Sequence, residues 1–317
     1  MWRIVLAIKI LVTIALVAWL ALKVDPSNLW QYIARSNSGM LLLGTCVLAI
    51  QPLLGAVRWH IILRRLGVVL PGGDVTRWTY AGVFFSQVLP ATVGGDGLRI
   101  WLATRSKAPL ATVVNSVILD RVAMVLSLVV LVVASAPWFE SLLSPNQLWL
   151  LAGVLVAGTV AGLLFVLLAD TLPASLLQWR LGRWVASLSR DTRLLLLNPR
   201  AGTSIFVLSL ASVANIMVSL CIFCLAFGAQ APWYHILMLL PPVIAASTLP
   251  ISIGGWGTRE VAMTAALATV GGSAETAVLA SVWLGLVSIV TALPGAFFHF
   301  FTHRNATAPF APKESVQ

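Results

Sequence analysis

Long apolar runs recur along the chain, separated by short polar stretches. A helical crossing needs about 20 apolar residues, and six runs meet that length: residues 4–22, 39–57, 112–134, 148–169, 204–227 and 276–301. Two further apolar segments, 75–93 and 236–253, run into Pro and Gly pairs, which end a helix before it has spanned. The pattern predicts an all-α, polytopic membrane protein with six full spans and two re-entrant or broken helical segments. Eight crossings is the alternative if both broken segments traverse the bilayer.

Composition narrows the class. Hydrophobic residues make up 59% of the 317 and charged residues 9%, with a mean hydropathy of +0.96; a soluble domain has about a quarter of its residues charged. A secreted disulfide scaffold, a cytosolic enzyme and a disordered chain are excluded. No Walker A, GxSxG or HExxH pattern occurs, so we expect no enzyme and no cofactor. Cys221 and Cys224 form a CxxC inside an apolar run, where helical packing explains them better than metal or redox chemistry. His299 and His303 stand four apart without a nearby carboxylate, so we expect no metal site.

The net charge of +10 would suit nucleic acid only on a soluble basic face, and here the basic residues lie between apolar runs. They report orientation and anionic lipid instead. With the N-terminus inside, fifteen of the 20 Lys and Arg fall on the cytoplasmic side, among them Arg58, Arg64, Arg65, Arg77, Arg99, Arg105 and Lys107, while Lys23 and Arg35 are the basic residues of the outer loops. The expected location is the cytoplasmic (inner) membrane with both termini cytoplasmic. Arg3 and the run behind it resemble a signal peptide, but Lys9 interrupts the run and no small-x-small site follows, so we expect an uncleaved first span. The sequon at Asn305 then falls on the cytoplasmic side and stays idle.

Two local patterns add detail. In the loop after the fourth span, Leu177, Leu181, Trp184, Val185 and Leu188 share a helical face, which reads either as an amphipathic helix on the inner leaflet or as a basic topology loop. Gly158 and Gly162 form a GxxxG, expected to pack helices within the chain, with a homodimer as the alternative.

The strongest signal is internal. Residues 89–99 read LPATVGGDGLR and residues 249–259 read LPISIGGWGTR, both fitting L-P-x-[ST]-[VI]-G-G-x-G-x-R without a gap. Downstream, SVILDRV from Ser116 echoes SVWLGLV from Ser281. We read a single transmembrane domain over 1–317, with one repeat unit over about 1–140, a second over about 141–303, and a short tail over 304–317. Three crossings per unit turn the second unit upside down, and paired broken helices in inverted repeats point to a transporter site near the midplane. Pro90 and Pro250 stop helices, while Gly94, Gly95, Gly254 and Gly255 permit left-handed backbone and close approach. Amides of such a turn make an anion site, with Arg99 and Arg259 placed to fork onto a phosphate. Both arginines could instead serve as interfacial anchors. Asp96 has no acidic counterpart in the second copy, where Trp256 stands in the same place, and Glu260 follows Arg259 as proton carrier, counter-ion or local salt bridge. Asp120 and Arg121 belong inside the bundle.

Val57-Arg58-Trp59, FFSQVLPATVGGDGLR from Phe84, the Asp120-Arg121 pair and LPISIGGWGTRE up to Glu260 together resemble the flippase-like membrane region of lysylphosphatidylglycerol synthases. That resemblance implies movement of a lipid headgroup across the bilayer, with Asp96, Arg99, Asp120, Arg121, Arg259 and Glu260 at its site. The implied partners are membrane lipids of the anionic phospholipid or polyprenyl phosphate type, together with a lipid-modifying enzyme or glycosyltransferase. The soluble aminoacyl-transferase domain of two-part synthases is not in this sequence, so aminoacylation by this chain is not expected.

Overall fold

The computed structural model describes residues 26–88, 94–139, 145–171, 179–196, 198–248 and 255–302. The expected first span, Arg3, Lys9, Lys23, Pro90, Pro250, Gly254, His303, Asn305 and the tail lie outside them.

Every regular element among the described residues is helical. In chain order they are α1 (Pro26–Ala34), α2 (Ser38–Ala49), α3 (Gln51–Arg65), α4 (Gly72–Val88), α5 (Gly94–Arg105), α6 (Leu110–Ser135), α7 (Pro145–Leu168), α8 (Arg180–Leu196), α9 (Pro199–Ala226), α10 (Trp233–Thr248), α11 (Thr258–Ala268) and α12 (Ala274–Thr302). Five segments are long and apolar enough to cross a membrane: Ser38–Arg65, Leu110–Phe139, Ala152–Thr171, Pro199–Ala226 and Ala274–Gly295. They fall on five of the six expected runs. The first of them is α2 continued by α3, with the join at Ile50 and Pro52 in the opening turn of α3, where a missing amide costs nothing.

The central helix is α9. Its first turn is set by Asn198, whose side chain accepts the Ala201 amide at 3.1 Å, and by Pro199. Around its C-terminal half, Leu220, Phe223 and Cys224 pack with Ile236 and Leu240 of α10, Met263 and Leu267 of α11, and Ala277 and Ala280 of α12. The CxxC cysteines are thus buried core. Buried serines in α9 are satisfied locally: Ser209 donates to the Ile205 carbonyl at 2.8 Å and Ser219 to that of Asn215 at 2.8 Å.

The two broken segments are helical hairpins, α4–α5 and α10–α11. Their helices have 17, 12, 16 and 11 residues, each short of the roughly 20 needed to cross. They enter from opposite ends of α9. Asn215 meets Gln51 at the start of α3 (3.3 Å), and Ile62 near its end shares a core with Leu195 of α8 and Ile205 near the start of α9, so α3 runs antiparallel to α9. The first hairpin opens at that end, where Ala103 of α5 packs with Leu63 and Val113. The second opens at the other end, where the Cys221 thiol reaches the Trp233 carbonyl and Thr276 donates to the Phe227 carbonyl.

Packing repeats between the halves when α3, α4, α5 and α6 are matched with α9, α10, α11 and α12. Thus α3 packs on α4 as α9 does on α10, α5 on α6 as α11 on α12, and α3 on α6 as α9 on α12. The hairpins are exchanged in the same way: α4 lies against α12 and α10 against α6. Gly295 makes the first of these contacts possible, because a methyl there would strike the Tyr80–Ala81 backbone.

Two local expectations change. Gly158 and Gly162 are exposed, and among the described residues a side-chain carbon at either meets nothing, so no described helix packs on them. Helix α8 forms, yet it is docked on the bundle as well as amphipathic. Leu188, Ser189, Thr192 and Leu195 are buried; Asn115 holds Asp191 at 2.6 Å, and Arg193 pairs with Asp170. Leu181, Leu194 and Trp179 stay exposed.

Candidate functional site

The first motif resumes at Gly94 as the opening of α5, so Gly95 is helical rather than left-handed. Its role is close approach. A methyl at Gly95 would land on the Gly82 carbonyl and the Ser86 hydroxyl of α4, and one at Gly82 would meet Arg99. Two facing glycines therefore let α4 and α5 touch along their backbones, and this contact aims Asp96 and Arg99 at α6.

There the charges form an alternating chain. Arg58 of α3 donates Nε to Asp120 at 2.6 Å, and Arg99 reaches the other oxygen of Asp120 at 3.5 Å. Arg99 also pairs with Asp96 at 2.5 Å, and Arg121 donates Nε to the second Asp96 oxygen at 2.8 Å. The order is Arg58, Asp120, Arg99, Asp96, Arg121. Three guanidiniums against two carboxylates leave one net positive charge. Exposure rises along it, from side chains 5% accessible at Arg58 and Asp120 to 57% at Arg121.

The buried end ties the halves together. Arg58 donates to Ser212 Oγ at 3.1 Å, and Ser212 lies halfway along α9, about 20 Å from either end at a 1.5 Å rise per residue. Arg99 lies over the Trp59 ring at 4.9 Å from its centroid, and Trp59 is itself anchored by Nε1 to Ser116 Oγ at 3.0 Å.

The second motif resumes as a turn. Gly255 and Gly257 hold φ of 80° and 86°, backbone that an L-residue adopts only with strain, and α11 starts at Thr258. Glu260 accepts the Gly257 amide at 2.6 Å with one oxygen; with the other it accepts Arg259 at 3.0 Å and the Ser281 hydroxyl at 2.7 Å. Arg259 donates Nε to Ser281 Oγ at 2.7 Å and a terminal nitrogen to the Ser281 carbonyl at 2.8 Å. The Arg259 guanidinium stacks on Trp256, 5.3 Å from the ring centroid. This centre is neutral, buried and closed on itself. Of the three roles open to Glu260, the geometry gives it a local salt bridge, joined to a helix cap.

The expected site residues thus separate into two groups. Asp96, Arg99, Asp120 and Arg121 meet in one network, Arg259 and Glu260 in another; Gly94 opens α5, and Gly95 and Gly255 shape the hairpins. Arg58, expected among the cytoplasmic loop charges, is instead buried at the heart of the first network, and Arg99 is likewise buried. An arginine inside an apolar run was the available signal. Ser212 and Ser281 carried none, since serine is common in apolar helices.

A comparison with protein families matches residues 6–295 to the lysylphosphatidylglycerol synthase TM region. The chain belongs to this family. No curated protein matches it significantly. As a lysylphosphatidylglycerol synthase transmembrane-region protein it is a multi-pass membrane protein from a flippase-like family tied to lipid modification. Of the two motif centres, the first carries the net positive charge.

Proposed function

We propose that the protein is a lipid translocase whose first motif centre reads an anionic headgroup while the lipid chains stay in the bilayer. The observation that carries this is the alternating chain ending at exposed Arg121 with one uncompensated positive charge. A phosphate arriving at Arg121 competes with Asp96 for the same donors, and displacing that carboxylate passes the anion inward to Arg99. The second centre holds its hairpin in place without contacting the headgroup. Exposed Arg64, Arg65, Arg105, Lys107, Arg183, Arg190 and Arg200 gather at the α9 N-terminal end, which we assign to the cytoplasmic face of the inner membrane. No nucleotide site is involved in this reading; a gradient, a partner or consumption of the flipped lipid sets direction.

The test is leaflet exchange in liposomes for a panel of phospholipids and polyprenyl phosphates. Wild type should exchange at least one anionic lipid, Arg121→Gln should slow it by about tenfold or more, and the charge-neutral double variant Arg259→Gln/Glu260→Gln should retain it. No exchange of any lipid by folded wild type would overturn the reading.

A second reading makes the chain the membrane partner of a lipid-modifying transferase. It is favoured by α7, which is largely exposed and whose Gly158 and Gly162 meet nothing among the described residues, a surface suited to close helix contact with a partner or a second copy. Crosslinking through cysteines placed on α7 separates these outcomes.

A further inference from the structure

One cavity has no part in either motif centre. It encloses about 510 Å³ at the α9 C-terminal end, opposite the basic rim, and is bounded by α1, the turn from α9 to α10, the turn from α11 to α12 and the first turn of α12. Gly228 and Gly271, with φ of 88° and 73°, turn the chain at the ends of α9 and α11. Ser273 then caps α12 by accepting the Thr276 amide at 3.1 Å. The cup is therefore made of two helix ends and one helix start, with α1 as its remaining wall.

Its walls carry Gln31 and Tyr32 on α1, Arg35 directly after it, Gln230 on the α9–α10 turn and Glu275 on α12. Gln31 and Arg35 stand four residues apart, and the Arg35 amide donates to the Gln31 carbonyl at 3.0 Å, so this last turn puts both on one side. Arg35 and Glu275 bear opposite charges, yet no ion pair joins them. Among the described residues neither side chain has a hydrogen-bond or ion-pair partner. This differs from both motif centres, where every charged side chain touches one of opposite sign. A cation and an anion held apart on the walls of one cup complement a guest that carries both signs.

Resting on the translocase reading, we propose that this cup binds a zwitterionic group bearing an oxyanion and an ammonium on one small body. Arg35 and Gln31 take the oxyanion through N–H donors. Glu275 accepts from the ammonium, and the face of Tyr32 lies on the same cation. A phosphoethanolamine-type lipid headgroup and a free soluble zwitterion share this chemistry. If the basic rim is the cytoplasmic face, the cup receives the group on the far side of the membrane.

The experiment uses the full chain in nanodiscs of phosphatidylglycerol, titrated calorimetrically with glycerophosphoethanolamine and, separately, with glycerol 3-phosphate. Wild type should bind the first saturably and more tightly than the second. Arg35→Gln and Glu275→Gln should each weaken glycerophosphoethanolamine binding by about tenfold or more, while Glu275→Gln leaves glycerol 3-phosphate binding unchanged. Both side chains are unpaired, so the melting midpoints of the variants should match wild type. Equal binding of the two probes, or a Glu275→Gln variant that binds glycerophosphoethanolamine as wild type does, would overturn the proposal.

A vesicle arm identifies the source. Slower exchange of phosphatidylethanolamine but not phosphatidylglycerol in Glu275→Gln marks a lipid headgroup; unchanged exchange alongside lost probe binding marks a free zwitterion. A protein that binds the probe but exchanges no lipid would fail as a translocase while keeping this site, and the reverse result would fail the site alone.

Discussion

The two motif centres begin from the same eleven-residue pattern and end in different chemistry. In both, the motif arginine lies over a tryptophan and is held by the helix that follows the hairpin. At the first, that helix offers Asp120 and Arg121; at the matching positions of the second it offers Gly285 and Leu286. Asp96 is likewise matched by Trp256. The two replacements fit each other, because the Trp256 ring occupies the space that a side chain at Gly285 would need. One copy thus keeps two carboxylates and three guanidiniums, whereas the other has exchanged its spare charges for a ring packed on a glycine. A duplicated turn can stay constant in backbone while one copy keeps a charged, partly exposed network and the other becomes a closed structural clasp.

That contrast can be broken most forcefully at Asp120, the shared counter-ion of two buried arginines. Asp120→Asn should destabilise the protein by about 3–5 kcal/mol, since two buried cations lose their partner. Thermal unfolding in detergent measures this, and a melting temperature equal to wild type would show that the network is not what holds α3, α5 and α6 together. A smaller loss is expected at the clasp. Glu260→Gln keeps the side-chain length but turns one of two accepting oxygens into an NH2 donor and removes the charge beside Arg259, costing about 1–3 kcal/mol, and lipid exchange by the folded fraction should persist. If exchange vanishes while folding survives, the second centre handles the headgroup too, and the division between the centres fails.

The least disruptive variant sharpens the packing side of the comparison. Gly285→Ala pushes a methyl against Trp256 and Arg259 and should cost about 1–3 kcal/mol as overpacking. Trp256→Leu in the same chain should recover part of that loss, so a double-mutant cycle should give a coupling of about 0.5 kcal/mol or more. Strict additivity would mean that the ring and the glycine are not a matched pair.

Much of this molecule follows from the order of its residues alone. Runs of about 20 apolar residues can only be helices in lipid, because every backbone amide must be satisfied within its own segment. The five spans seen among the described residues were therefore legible, as were the two interrupted segments, each seen as helices shorter than a full crossing. The repeated motif likewise announced two related centres and named Arg99, Arg259 and their acidic neighbours. What the residue order left open was which charges meet. Arg58 reads as one more basic residue near a span end until α3 is laid against α6 and α9, where burial makes Asp120 its necessary partner. Gly95 reads as a turn glycine until the backbone of α4 lies against it. Glycines 158 and 162 read as helix-packing residues, yet among the described residues nothing lies against that face of α7. Secondary structure in a bilayer is imposed locally by the solvent, whereas pairing of buried charges and fitting of small residues depend on which helices are brought side by side. Only the tertiary structure decides that.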